Sequence, residues 1–190
     1  DLLAGSLPET DGRVNAKLVR TGGYYLAFVA LGLVTASVGA TLPGLAVNVQ
    51  ARLDEISILF AAGALGYLLG SLLGGRAYDR VPGHALMGGV LFALASLMAL
   101  VPLVPWLWLL AAVTLLRGAA SGTVDVGGNT LLVWLHGREV GPLMSGLHFC
   151  FGVGAFVSPL IVAWAIRLSG GIAWAYWTLA LLIAPVSLWI

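Results

Sequence analysis

Charge is what this chain most lacks. Asp, Glu, Lys and Arg make up 9% of it, where a soluble domain carries about 25% so that its surface can face water. With 60% hydrophobic residues and a mean hydropathy of +1.01, the surface has to face lipid, and the bilayer is the first partner expected. A net charge of +1 leaves no basic stripe of the kind nucleic acid requires, so no nucleic-acid partner is expected. Cysteine is nearly absent. Cys150 stands alone, which excludes a disulfide framework, and with no CxxC or Cys/His cluster there is no metal-site signature. Lysine occurs once, at Lys17, among nine basic residues, a bias that points to a GC-rich bacterial source. The chain also lacks a nucleophile–base arrangement or a cofactor motif, so neither enzyme activity nor a cofactor is expected.

Long apolar runs take the place of charge. A transmembrane helix takes roughly 20 predominantly apolar residues, and six stretches meet that need, at about 22–47, 56–77, 85–103, 106–135, 144–167 and 172–190. The mixed polar residues 1–21 are expected as a cytoplasmic N-terminal segment. The run after them is too long for a signal-peptide core, so it is expected to be a retained helix. The polar or Pro/Gly breaks between runs are brief, which makes neighbouring helices antiparallel and close in space. The expected fold is therefore an all-α membrane bundle of six helices, with no separate soluble domain.

Basic residues accumulate on the cytoplasmic side of a membrane. With the N-terminus inside, the inner segments hold Arg13, Lys17, Arg20, Arg76, Arg80 and Arg138, against Arg52 and Arg167 outside. Both ends are thus expected in the cytoplasm. Trp106, Trp108, Trp134, Trp174 and Trp189 fall near expected helix ends, where interfacial tryptophans sit. Gly66, Gly70 and Gly74 recur every four residues, as do Gly118 and Gly122, and Gly152 lies near Gly154. Small residues at this spacing let helices approach closely in lipid, either as plain packing or as smooth surfaces for sliding.

In a bilayer the informative residue is the polar one. Arg117 and Asp125 lie well inside the fourth apolar run, where a charge costs at least ~2.5–3.5 kcal/mol. Arg117, Ser121, Asp125 and Asn129 recur at intervals of four, one stripe along a helix face. Arg117 and Asp125 are separated by roughly 12 Å of rise, too far to pair along the helix, so each needs a partner on another helix or water. The stripe reads either as a buried charge network holding helices together or as the lining of a cavity that meets solute or a coupling ion. His148, about one turn into the fifth run, suits either a proton relay or a neutral hydrogen bond to Asn129 or a backbone carbonyl. Thr35, Ser37 and Thr41 are expected to bond their own backbone, with Thr35 nearest mid-membrane and the best ligand candidate of the three. Pro43, Pro102, Pro105 and Pro159 lie toward outer halves or ends of helices, and Pro159 permits a bend in the fifth.

The segment Gly75-Arg-Ala-Tyr-Asp79-Arg80-Val-Pro-Gly83-His84 resembles the cytoplasmic signature of the major facilitator superfamily, with two residues rather than one between Arg80 and Gly83. The resemblance implies a gate motif of Gly75, Asp79, Arg80 and Gly83, in which the loop aspartate helps lock the inner gate; ordinary helix capping is the other reading of Asp79. Gly39-Ala-Thr-Leu-Pro43, Ala64-Leu-Gly-Tyr-Leu-Leu-Gly-Ser71, Asp125-Val-Gly-Gly-Asn129 and Leu147-His-Phe-Cys-Phe-Gly-Val-Gly-Ala-Phe156 look like the sodium-dependent glucose transporter-like branch. That branch is similar to bacterial fucose–proton symporters, in which a fourth-helix acidic residue takes part in coupling or recognition. Asp125 matches that position and Asn129 the asparagine that follows.

The resemblance implies the N-terminal, six-helix half of a twelve-helix protein, itself a 3+3 inverted repeat, with the solute site between two halves. A C-terminal half beyond Ile190 is the expected partner. The expected function is secondary active transport of a small polar solute such as a sugar, coupled to H+ or Na+ and placed in a bacterial inner membrane. Asp125 would couple, Asn129 and Ser121 would bond the solute, and Arg117 would set the local field. The alternative is a non-transporting six-helix subunit of a larger membrane complex.

Overall fold

The computed structural model describes the backbone from Pro8 and side chains from Asn15. Residues 1–7, and the side chain of Arg13, lie outside the described residues. Six long helices form the body: α1 (Pro8–Asn48), α3 (Ile58–Tyr78), α4 (Gly83–Leu100), α5 (Leu107–His136), α6 (Val140–Ser169) and α7 (Ala173–Trp189). One further turn of helix, α2 (Leu53–Ile56), precedes α3. Helix α1 begins before residue 22, so part of the polar segment at the start of the chain is helical. By length and composition, four stretches suffice to cross a membrane: Asn15–Asn48, Leu53–Tyr78, Gly83–Leu103 and Leu107–Ser169. The last has 63 residues and holds two helices, α5 and α6, joined by the 3-10 turn Gly137–Glu139, which opens on Gly137 at φ 57°. A left-handed backbone there costs glycine little, and the chain doubles back. Helix α7, at 17 residues, spans about 26 Å.

Contacts between helix ends fix the directions. The start of α1 meets the starts of α4 and α6 and the end of α5, through Tyr24–His84, Tyr25–Leu143 and Thr21–His136. The end of α1 meets the end of α4, where Asn48 Nδ2 donates to the Pro102 and Val104 carbonyls. Trp177, at the start of α7, donates to the Ala99 carbonyl near the end of α4. The long helices therefore alternate in direction.

The most extensive interfaces are α3 with α5, α1 with α6, and α4 with α7. The first two pairs run parallel and are zipped by glycine. A methyl group on Gly66 or Gly70 of α3 would strike the Leu115 or Ala119 carbonyl of α5, and one on Gly118 or Gly122 would strike the Gly63 or Tyr67 carbonyl of α3. Gly32 of α1 and Gly154 of α6 meet the Phe151 and Val29 carbonyls in the same way, whereas Gly152 meets nothing. A two-fold exchange of α1, α3, α4 with α5, α6, α7 turns the α1–α6 seam into the α5–α3 seam and maps α4–α7 onto itself. That pattern is the inverted repeat. Apolar side chains fill the interior, among them Leu45, Met87, Leu91, Leu94, Leu110 and Leu132, and others such as Leu72, Phe92, Trp108, Phe156 and Leu188 stand exposed around the outside. Such a surface suits lipid on its outer side.

Candidate functional site

The seam between α3 and α5 decides where the polar stripe points. Gly118 and Gly122 each follow a stripe residue, Arg117 or Ser121, by one position, about 100° round the helix. The face pressed onto α3 is thus adjacent to the stripe, which turns toward the gap between α3 and α1. Arg117, only 7% exposed, crosses that gap. Its Nη1 donates to the Val34 carbonyl of α1 at 3.0 Å, an oxygen that also accepts the Ser37 hydroxyl at 2.7 Å. Among the described residues the ion pair present joins Arg52 to Asp54, so Arg117 has no carboxylate partner there.

Asp125 finds its partners on α3 and α5. Its Oδ2 accepts the Tyr67 hydroxyl at 2.7 Å, and its Oδ1 accepts Asn129 Nδ2 at 3.3 Å. The same amide donates to the Asp125 main-chain oxygen at 2.8 Å. Asn129 therefore steadies the carboxylate from one turn below while Tyr67 holds it from the neighbouring helix.

Between α1, α3 and α5 lies a cavity of about 370 Å³, within the range of about 300–1,000 Å³ usual for small-ligand sites. Its polar lining is Arg117, Ser121, Thr35 and Tyr67, set among Val34, Val38, Leu59 and Phe60. The Thr35 hydroxyl donates to the Leu31 carbonyl at 2.8 Å, which leaves its lone pairs for an incoming donor. Ser37 and Thr41 likewise bond backbone carbonyls of α1, at 2.7 and 2.8 Å, but are buried away from the cavity. A second hollow, about 660 Å³, lies where α1 ends and α6 gives way to α7, against Pro43, Asn48, Pro102 and Gly170, and has no ionisable side chain in its lining.

The family model of the Major Facilitator Superfamily matches residues 24–190. The chain belongs to the Major Facilitator Superfamily. Its relatives include sodium-dependent glucose transporter 1 of Danio rerio, 38% identical over 71% of this chain and 23% of that protein. The protein of the same name from Homo sapiens is 37% identical over 74% of this chain and 27% of its own length. Major facilitator superfamily domain-containing protein 4A of Homo sapiens is 35% identical over 80% of this chain and 30% of its own length. The chain thus spans about a quarter to a third of these relatives. With the apolar helices, the family makes it an integral membrane protein.

The superfamily's loop signature falls where α3 ends. Asp79 and Arg80 follow Tyr78, the last residue of α3, and both are exposed. The Arg80 amide donates to the Ala77 carbonyl at 3.0 Å. Among the described residues neither side chain has an ion-pair or hydrogen-bond partner. Gly75 passes within ordinary contact of Val126, and Gly83 lies tightly against Leu131. His148 is exposed and sets its ring edge-on to Phe28, centroids 5.8 Å apart. It makes no hydrogen bond to Asn129, whose amide is spent on Asp125. Residues that sequence spacing did not single out are Tyr67, His84 and His136. Tyr24 and His84 meet at 2.8 Å, and Thr21 and His136 at 2.7 Å. Thr21 already donates to the Lys17 carbonyl at 2.9 Å, so His136 must donate from Nε2. Each pair lies far apart in the chain, where no local periodicity connects it.

Proposed function

We propose that the chain forms the N-terminal half of a secondary active transporter that moves a small polar solute, a sugar, by alternating access. The observation that carries this is the cavity of about 370 Å³ that sets a buried guanidinium and three hydroxyls within an apolar membrane bundle. A neutral polyol needs such a set of donors and acceptors, and an apolar wall to strip it of water. The names of the relatives, sodium-dependent glucose transporter 1 among them, support a sugar and a cation gradient. In this proposal Asp125 is the coupling carboxylate for H+ or Na+. Ser121 and Thr35 supply hydrogen bonds to the solute, and Arg117 sets the local field. Asn129, expected to bond the solute, instead steadies the Asp125 carboxylate; His148 has no part in the cavity wall. Asp79 and Arg80, with Gly75 and Gly83 shaping their loop, belong to an inner gate that closes against a second six-helix half. Asp125 lies beside the cavity rather than in its wall, so the coupling ion and the solute occupy neighbouring sites.

The excess of basic residues at one end of the bundle supports an orientation with both ends cytoplasmic. The arginine bias supports a bacterial inner membrane, though the relatives named above are vertebrate. Proteoliposomes containing the intact protein test the function: a sodium or proton gradient should drive accumulation of labelled glucose, and Asp125→Asn should abolish it. Undiminished accumulation by that variant would remove Asp125 from coupling. No uptake by the unaltered protein would favour a non-transporting subunit.

A further inference from the structure

Among the described residues, Tyr67 is the side chain that both lines the cavity and bonds Asp125. Tyr67 forms part of the wall shared with Arg117 and Ser121, and its hydroxyl donates to Asp125 Oδ2 at 2.7 Å. Tyr67 rides on the tightest seam of the bundle. Gly66 and Gly70 flank it and press α3 onto α5, and its own carbonyl packs over Gly122. The phenol therefore has a fixed backbone root, while its side chain, 40% exposed, keeps room to reorient.

We propose that Tyr67 is the positioning residue that couples the cation at Asp125 to the solute in the cavity. The inference rests on the transport reading above and deepens it. A phenol carries one proton to donate. With Asp125 free, that proton is spent on Oδ2, and the cavity loses a donor. When a proton or sodium ion engages Oδ2, that oxygen becomes a donor or a much poorer acceptor. The Tyr67 hydroxyl turns into the cavity and donates to a solute oxygen. Cation and solute then favour one another's binding, and the coupling is reciprocal by linkage. When H+ is the ion, the one bond formed is the O–H on Asp125, made from the gradient's proton and broken when it leaves; with Na+ no covalent bond changes.

The test uses the intact protein in proteoliposomes with labelled D-glucose. Gradient-driven accumulation is measured beside counterflow, in which labelled glucose exchanges for unlabelled with no gradient. Tyr67→Phe removes only the oxygen. Accumulation should fall about tenfold or more, the worth of one hydrogen bond to a charged group, and counterflow should weaken in apparent glucose affinity while keeping most of its maximal rate at saturating glucose. Tyr67→His, which keeps a donor, should recover part of the accumulation, and it is also the second variant should the phenylalanine form fail to purify as a single species. Running the wild-type arm under a sodium gradient and then a pH gradient identifies the cation. Accumulation unchanged in Tyr67→Phe, with Asp125→Asn inactive, would overturn the role of Tyr67 and leave the transport reading standing. Equal loss of accumulation and of the maximal counterflow rate at saturating glucose in both Tyr67 variants would make Tyr67 a structural residue and would also overturn it. If the unaltered protein accumulates no glucose, the transport reading fails and the inference falls with it.

Discussion

Replacing Arg117 by methionine should leave the protein about as stable as before and stop transport. A cation in mid-membrane costs at least ~2.5–3.5 kcal/mol on insertion scales. Arg117 recovers part of this through a single described hydrogen bond, Nη1 to the Val34 carbonyl at 3.0 Å, and a bond to a charged group contributes about 1.5–3 kcal/mol. The two terms nearly cancel. Methionine is unbranched, adapts to irregular space and fills most of the guanidinium's stem. The Val34 oxygen is not orphaned, because Ser37 still donates to it at 2.7 Å. The net change should lie within about 1 kcal/mol of zero, or about 2–4 °C in the melting midpoint on the scale of a domain this size. Thermal unfolding of the purified protein in detergent, followed by tryptophan fluorescence, measures it, and gradient-driven uptake is measured in parallel. A loss above about 3 kcal/mol is what breaking a buried ion pair costs. That outcome would refute the reasoning and make Arg117 a member of a charge network that holds helices together. Stable protein without uptake would assign Arg117 to the cavity's function.

The glycine seams and one buried hydroxyl pair give two further expectations. Gly70→Leu should disrupt the α3–α5 seam, because even a methyl there strikes the Ala119 carbonyl; overpacking costs about 1–3 kcal/mol or more. Gly152→Ala, with open space around it, should be silent, and melting of the two variants side by side checks both. Thr41 donates to the Ser37 carbonyl at 2.8 Å, so the Tyr176 hydroxyl must be the donor in their 2.7 Å contact. Thr41→Val should then leave a buried phenol unpaired and cost about 1–3 kcal/mol, and Tyr176→Phe in the same background should recover most of it.

The helices were legible because their signal is one-dimensional. A lipid-facing bundle needs apolar runs of bilayer length, and such runs can be counted along the chain. The stripe on α5 was legible for the same reason, since a spacing of four is local. Its geometry also required that Arg117 and Asp125 find partners on other helices. Which partners could not be read, because Val34 lies 83 residues from Arg117 and Tyr67 lies 58 from Asp125. Tyr67 looked like one aromatic among apolar neighbours; only the glycine seam on either side hinted that its backbone is held close to α5. His148 illustrates the converse. Its depth in the helix matched that of Asn129, but depth does not say which way a ring faces, and α6 turns His148 toward Phe28. The double-back at Gly137 was legible as the helices were, since the polar run His136-Gly-Arg138-Glu139 interrupts two apolar stretches; the positive φ at Gly137 is its backbone counterpart, which composition does not give.

The two glycine seams also explain why the cavity lies where it does. Helix α3 is locked to α5, and α1 to α6, by backbone-to-backbone approach, so each pair should behave as a rigid unit. The direct interface between α1 and α5 is far smaller than either seam, and polar atoms bridge it: Arg117 to Val34 from α5, opposite Ser158, which bonds the neighbouring Leu33 carbonyl at 2.7 Å from α6. Helix α1 thus takes side-chain donors at consecutive carbonyls from two sides, midway along its length. A polar bridge across a hollow can be exchanged for bonds to a solute at little net cost, whereas a glycine seam has no substitute partner. Motion that admits solute should therefore exchange the polar bridge and leave each glycine-seamed pair intact.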